Sequence, residues 1–363
     1  MAQGFIGSDT SEDMEEIGGM YFDDLLRRSL LQDAEMGSNG NKFSCKMHDL
    51  VHDLAQSVAG NDCLIVGMTQ QANVDLNRVH HSFIFSSSMF EVTSISSTFY
   101  KAAKLRTLLV SHGSRPFPPK LEMSLMKQVR ISICLHKLFH HLQCPRTLEM
   151  TGAKIAKLPR TVGQLKHLRY INLPYSNIEE ISAWLIYSVN LQTLILNACE
   201  WLRKLPREMR KMISLRHLEL ERTNNLSYLP RLSTLQTLTK FIVGGNHGVD
   251  GWDLGELKHL KLLQGSLDIT HLQNVSSEDE AREAELYKKR HLHTLSLYFK
   301  YSTYGEVVGD EEKQRMEGVL EGLQPHTNLK ELKIRSYRGS KFPEWMGDPS
   351  SNLIRILLYD CSE

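Results

Sequence analysis

The sequence predicts a small α+β unit followed by an α/β solenoid, and three observations carry the prediction. An aliphatic frame, L-x-x-L-x-L, recurs eight times between residues 105 and 358, in several places at a spacing of 23 or 24 residues. The first sixty residues lack the frame and alternate helical with strand-like patterning. Charge divides at the same place: residues 1–60 hold 11 acids and 4 bases, whereas the other 303 hold 31 acids and 39 bases. A chain of 363 residues is long enough to bury a sizeable core in each of two parts.

The stretch "MEEIGGMYFDDLLRRSLL" has helical spacing at Tyr21, Phe22, Leu25 and Leu26. Next, "SLLQDAEMGSNGNKFSCKM" reads as a hairpin, two short strand-like runs about a Gly/Asn turn. From "KMHDLVHDLA" a second helix is expected to run to about Ala59. Met47, Leu50, Val51, Leu54 and Val58 fall on one of its faces, and His48, Asp49, His52, Asp53 and Gln56 on the other. Helix, hairpin, helix is a winged-helix arrangement for residues 1–60. Residues 61–100, with "RVHHSFIF" at 78–85, read as a strand-bearing connector.

Residues 101–363 read as leucine-rich repeats. The frames are "LRTLLV", "PRTLEM", "LRYINL", "LQTLIL", "LRHLEL", "LHTLSL", "LKELKI" and "LIRILL", each predicting one short strand of a horseshoe. A second signature follows several of them, as in "IAKLP", "IEEI", "LRKLP" and "LSYLP". Its apolar residues turn inward on the far side, and proline keeps the chain out of the sheet. Side chains alternating with the frame leucines should point out of the concave face. These are Tyr170, Asn172, Thr193, Ile195, His217, Glu219, Thr294, Ser296, Glu331, Lys333, Arg355 and Leu357. An irregular insert is expected at about 241–291, with a loop over "VGGNHGVDGWDLG" and a helix over "SEDEAREAELYKKR". Ser277 and Glu280 have capping-box spacing there, and Lys288, Lys289 and Arg290 suit the helix C-terminus.

Several function classes are disfavoured. A winged helix with 11 acids and 4 bases repels a nucleic-acid backbone. Six scattered cysteines without a C-x-x-C pair form neither a zinc ribbon nor a disulfide framework, and fit a reducing cytoplasm. No apolar run reaches the length of a membrane span. The phosphate loop G-x-x-x-x-G-K-[ST] occurs nowhere, so the chain alone is expected to bind no cofactor. "HDLVH" resembles the H-E-x-x-H of zinc hydrolases, but its aspartate is one methylene short and no third ligand stands at a recognised spacing. The expectation is a non-enzymatic interaction protein, with a generic repeat scaffold or decoy as the alternative.

A resemblance sharpens this. "GGMYFDDLLRRSLLQD" followed by "FSCKMHDLVHDLAQSVAG" resembles the end of the NB-ARC module of plant nucleotide-binding leucine-rich-repeat disease-resistance proteins, of the coiled-coil, non-Toll type. "LPRTVGQLKHLRYINL" and "VLEGLQPHTNLKELKIRSYRGSKFPEWM" resemble the repeats of the same family. The resemblance implies that Met47, His48 and Asp49 match the M-H-D motif, whose histidine contacts the β-phosphate of ADP, and that the full-length family binds ADP or ATP. It implies a cytoplasmic or nucleo-cytoplasmic immune receptor. Its repeat face would bind a pathogen effector, a guarded host protein or the receptor's own NB-ARC domain. "MAQGFI" resembles a stretch internal to the family, so the chain is expected to begin inside the winged helix and to stop within the repeats.

Overall fold

The computed structural model describes residues 2–6, 14–36, 42–66, 75–86, 99–112, 135–152, 155–223, 226, 229–244, 252–299 and 309–361. The N-terminal unit is helix α1 (Met14–Arg27), an antiparallel hairpin of β1 (Leu31–Met36) and β2 (Lys42–Met47), and helix α2 (Asp49–Ala59). The expected Gly/Asn turn at 37–41 lies outside the described residues. The amphipathic face read for α2 is present but is not packed: Leu50 is 75%, Leu54 63% and Val58 79% exposed.

Two all-parallel sheets follow. Eight strands lie side by side in the order β10 to β3: β3 (Cys63–Val66), β4 (His81–Ser86), β5 (Thr107–His112), β6 (Thr147–Thr151), β7 (Tyr170–Asn172), β8 (Thr193–Ile195), β9 (His217–Glu219) and β10 (Thr237–Leu238). Five more form the second sheet: β11 (Lys240–Ile242), β12 (Gln264–Thr270), β13 (His291–Tyr298), β14 (Glu331–Arg335) and β15 (Arg355–Tyr359). All eight frames are strands. Their central aliphatic residues stand in register, Leu148 beside Ile171, then Leu194 and Leu218, with Leu238 of β10 continuing the line, and all are buried. A ladder of this kind gives each repeat a core only through its neighbours.

The solenoid also reaches beyond the frames. Residues 61–100, set apart as a connector, supply β3 and β4 to the eight-stranded sheet. Leu64, Val79, Ile84 and Phe99 carry their burial without matching the leucine spacing. The 241–291 insert likewise supplies β12. Its strand is disguised because Leu263 and Leu267 stand four apart where the frame has three. Its pairing with β13 shifts register after Gly265, which lies at φ +78°, a conformation that favours glycine, and His293 of β13 is left without an opposite number. Within the glycine-rich stretch, Trp252 is buried and bridges to Val243, while residues 245–251 lie outside the described part.

The helix expected over 277–290 is shorter, Glu278–Arg282, with Ser277 capping Glu280 N–H as its spacing implied. Glu285 at φ +49° follows it, and a 3-10 turn, Leu286–Lys288, succeeds it. Lys289 therefore does not sit at that helix's C-terminus. It is buried, and its Nζ donates to the carbonyls of Leu257 (2.6 Å) and Leu260 (2.7 Å) one repeat away. A helix at Asp310–Gly322, not anticipated from the frame, buries Met316, Val319 and Leu320. Far-side prolines cap 3-10 turns: Pro159, Pro206 and Pro343 each stand just before one.

A further regularity carries no sequence signature. Tyr175, Ala198, Arg222, His271, Ser336 and Asp360 all have φ between 52° and 65°. Each lies two residues past an aliphatic residue within one position of a strand's end: Leu173, Leu196, Leu220, Ile269, Ile334 and Leu358. Neighbouring repeats hold the conformation, as Tyr175 N–H donates to Asn197 O and Ala198 N–H to Glu221 O.

Candidate functional site

The residues expected on the concave face divide into two groups along the solenoid. On the first sheet, Thr107, Thr147, Tyr170, Thr193, His217 and Thr237 align across adjacent strands. The N-terminal unit lies along this row. Gln3 Nε2 donates to Thr107 Oγ1 (2.7 Å) and Thr147 Oγ1 (3.0 Å), and Arg146 donates to the Gln3 carbonyl. Glu15, in the first turn of α1, meets His217 Nε2 at 2.9 Å and Arg216 Nη1 at 3.6 Å, its side chain only 19% exposed. Tyr170 lies between these anchors. Burial, together with Glu149 and Glu219, pushes its phenol far above the ordinary range. Asn172 and Ile195 stand one row further, half-buried, beside Glu219, which accepts from Asn197 Nδ2 (2.9 Å).

The second sheet presents an open cavity of about 1060 Å³. Register arranges its lining in three rows. Ser266, Thr294, Glu331 and Arg355 form the first, Lys240, Asp268, Ser296, Lys333 and Leu357 the second, and Tyr298, Arg335 and Tyr359 the third. Six expected residues are thus brought together. Two of them do not project as expected: Thr294 (9% exposed) and Ser296 (3%) are short side chains between long ones and form the floor. Glu331 collects charge from both sides, with Arg355 at 3.1 Å and Lys333 at 3.5 Å. Burial lowers the Lys240 ammonium against an opposing pull from Asp268. It also raises the Glu221 carboxyl, with Glu219 and Asp268 adding to the effect. Tyr298 Oη reaches Asp268 Oδ2 at 3.3 Å.

Sequence reasoning missed Tyr298, Arg335 and Tyr359 because it stopped alternation at the end of the frame. One further step of two residues finds all three. Lys240 and Asp268 were hidden by the irregular insert, and Gln3 and Glu15 had no pattern to announce them.

The M-H-D triplet lies away from both groups. Met47 ends β2 and is 41% exposed. His48 is the N-cap of α2, and its Nδ1 accepts from Leu50 N–H at 3.3 Å. That bond assigns the ring hydrogen of a neutral His48 to Nε2, which leaves Nε2–H as its remaining donor. Asp49 opens the helix and is exposed. His52 engages Gln56 (3.2 Å) and Asp53 (3.5 Å) instead, so the two imidazoles serve different partners. No group of three or more metal-ligating side chains comes together among the described residues.

Comparison with known proteins agrees with both halves. Residues 1–55 match the family described as disease resistance protein winged helix domain, and residues 254–363 the family described as R13L1/DRL21 LRRs. The chain belongs with the plant disease-resistance proteins. It is 34% identical to the putative disease resistance protein At3g14460 of Arabidopsis thaliana, over 97% of this chain and 24% of that protein. Disease resistance protein RGA2 of Solanum bulbocastanum is 33% identical over 99% of this chain and 32% of its own length. Putative disease resistance RPP13-like protein 1 of Arabidopsis thaliana is 30% identical, over 99% and 33% respectively. This resistance-protein chain therefore spans about a quarter to a third of those relatives. Among its described residues, no helix is long and apolar enough to cross a membrane.

Proposed function

We propose that this chain is the non-catalytic recognition part of an intracellular plant immune receptor, cytoplasmic in location. In this reading the winged helix restrains the upstream half of the solenoid's open face. The downstream half takes a protein partner, either a pathogen effector or a guarded host protein. Met47, His48 and Asp49 form the edge that senses ADP when a nucleotide-binding segment is supplied. One observation carries the proposal: Glu15 bridges His217 and Arg216 while Gln3 engages Thr107 and Thr147, so that the chain itself already contacts the upstream row near both ends.

The contact can be broken from one side. Glu15→Lys faces Arg216 with like charge and removes the oxygen that His217 Nε2 meets, which should release α1 without touching the leucine core. Chemical acylation of His217 by diethylpyrocarbonate, read by mass spectrometry on the whole chain, should then rise several-fold. In a leaf cell-death assay with the nucleotide-binding segments supplied, the same variant should respond without a trigger. Unchanged acylation together with a silent leaf would overturn the reading.

A further inference from the structure

The three-residue row Tyr298, Arg335, Tyr359 differs from the rest of the cavity. The Arg335 guanidinium carbon lies 4.4 Å from the Tyr359 ring centroid and 5.5 Å from that of Tyr298. Lys333 and Arg355 are both spent on Glu331. Arg335 is exposed, and among the described residues no hydrogen bond or ion pair engages it. Its planar fork of N–H donors is held between two aromatic rings with its edge open. An arginine arranged in this way has lost much of its rotamer freedom before any ligand arrives, and its geometry suits a planar oxyanion gripped by two parallel bonds.

We propose that Arg335 is the anchor for a carboxylate side chain, Asp or Glu, on a partner polypeptide laid along the second sheet. The proposal rests on the protein-recognition reading and adds the chemistry of the partner. One observation favours a carboxylate over a phosphate: only one guanidinium in the three rows is uncommitted, and its two parallel N–H groups match the two oxygens of a carboxylate. Two others favour a side chain over a chain terminus. The lining runs from Lys240 on β11 to Leu357 on β15, roughly 19 Å at ~4.8 Å per strand, enough for about six extended residues. Arg335 lies on β14, one strand in from the end of that run, so a segment anchored there continues past it.

The test uses the whole chain and an array of capped hexapeptides. Glu, Gln or phosphoserine occupies the third place and mixtures of all residues the others, with an uncapped set ending in a free carboxylate. Glu peptides should bind at least ten-fold tighter than their Gln counterparts. Arg335→Lys should lose that preference, because an ammonium cannot present the fork, while Arg282→Ala, on the exposed helix Glu278–Arg282 outside the cavity lining, should leave it within two-fold. Equal binding of Glu and Gln peptides, or no Glu peptide retained at millimolar concentration, would overturn the proposal. So would tighter binding by the phosphoserine or free-carboxylate sets. Leu357→Arg, which obstructs the groove, separates the two readings: if it abolishes binding of Glu and Gln peptides alike and these had bound equally, recognition on this face stands and the carboxylate anchor falls.

Discussion

Two single residues carry their own chemistry. His48 spends Nδ1 on the Leu50 N–H and presents Nε2–H at the N-terminus of α2, where the helix dipole favours an anion. A donor there should stabilise the ADP-bound state by about 1–3 kcal/mol. With the nucleotide-binding segments supplied, His48→Ala and Asp49→Val are expected to shift the population toward the signalling form by roughly an order of magnitude. His52→Ala should not, since its ring faces Gln56 one turn on. ADP retention by the three variants decides: equal losses at His48 and His52 would remove the asymmetry on which the assignment depends. Lys289 is the other. Burial lowers its ammonium from 10.5 to about 8. Between those values the unfolded chain holds a proton that the folded chain has lost, so raising pH across this window favours folding. Relative to Lys289→Met, the wild type should gain on the order of 3 kcal/mol from pH 8 to 10.5 in urea unfolding. A flat difference across that window would mean that Lys289 is hydrated.

At the scale of elements, strands of three residues such as β7, β8 and β9 are too short to persist alone, and each is held by one central aliphatic residue between two others. Leu194 stands at the middle of such a run with no exposed surface. Leu194→Ala should cost about 2–5 kcal/mol, the range for a deleted core side chain in a lattice that cannot collapse around it. Leu54→Asp, on the bare face of α2, should leave the thermal midpoint within a degree or two, because that side chain is 63% exposed already. Both midpoints come from one calorimetry series, and an unmoved midpoint for Leu194→Ala would contradict the register. The strands around Leu194 were legible because three consecutive units keep one spacing. Strand β12 was not, since Leu263 and Leu267 stand four apart where the frame has three, which takes Leu267 out of frame while it stays in the sheet opposite Leu295.

For the whole molecule, the division of charge matches the division of structure. An acidic unit lies on a basic solenoid, with Glu15 against Arg216 and His217 at the contact. Nucleotide binding is expected to need a partner segment. The sequence has no glycine-rich phosphate loop, whose backbone N–H groups supply most contacts to a β-phosphate, and one histidine donor cannot replace them. Calorimetric titration of the chain with ADP or ATP should give no measurable heat of binding, and a micromolar dissociation constant would refute this.

By itself the sequence determined the order of units, the solenoid class, the buried leucine ladder and the winged-helix pattern. Each of these rests on local periodicity, which hydrophobic burial enforces wherever it occurs. The triplet's place at a helix start was legible for the same reason. Only the tertiary structure decided which outward residues share a surface. Glu15 and His217 are 202 positions apart, and no spacing rule reaches that far. Thr294 and Ser296 alternate correctly and are still covered, because exposure depends on the length of the side chains on the next strand. Arg335 has its role from Tyr298 and Tyr359, residues of two other repeats brought to either side of it by parallel register. Periodicity is a property of one segment of chain, and a surface is made by several.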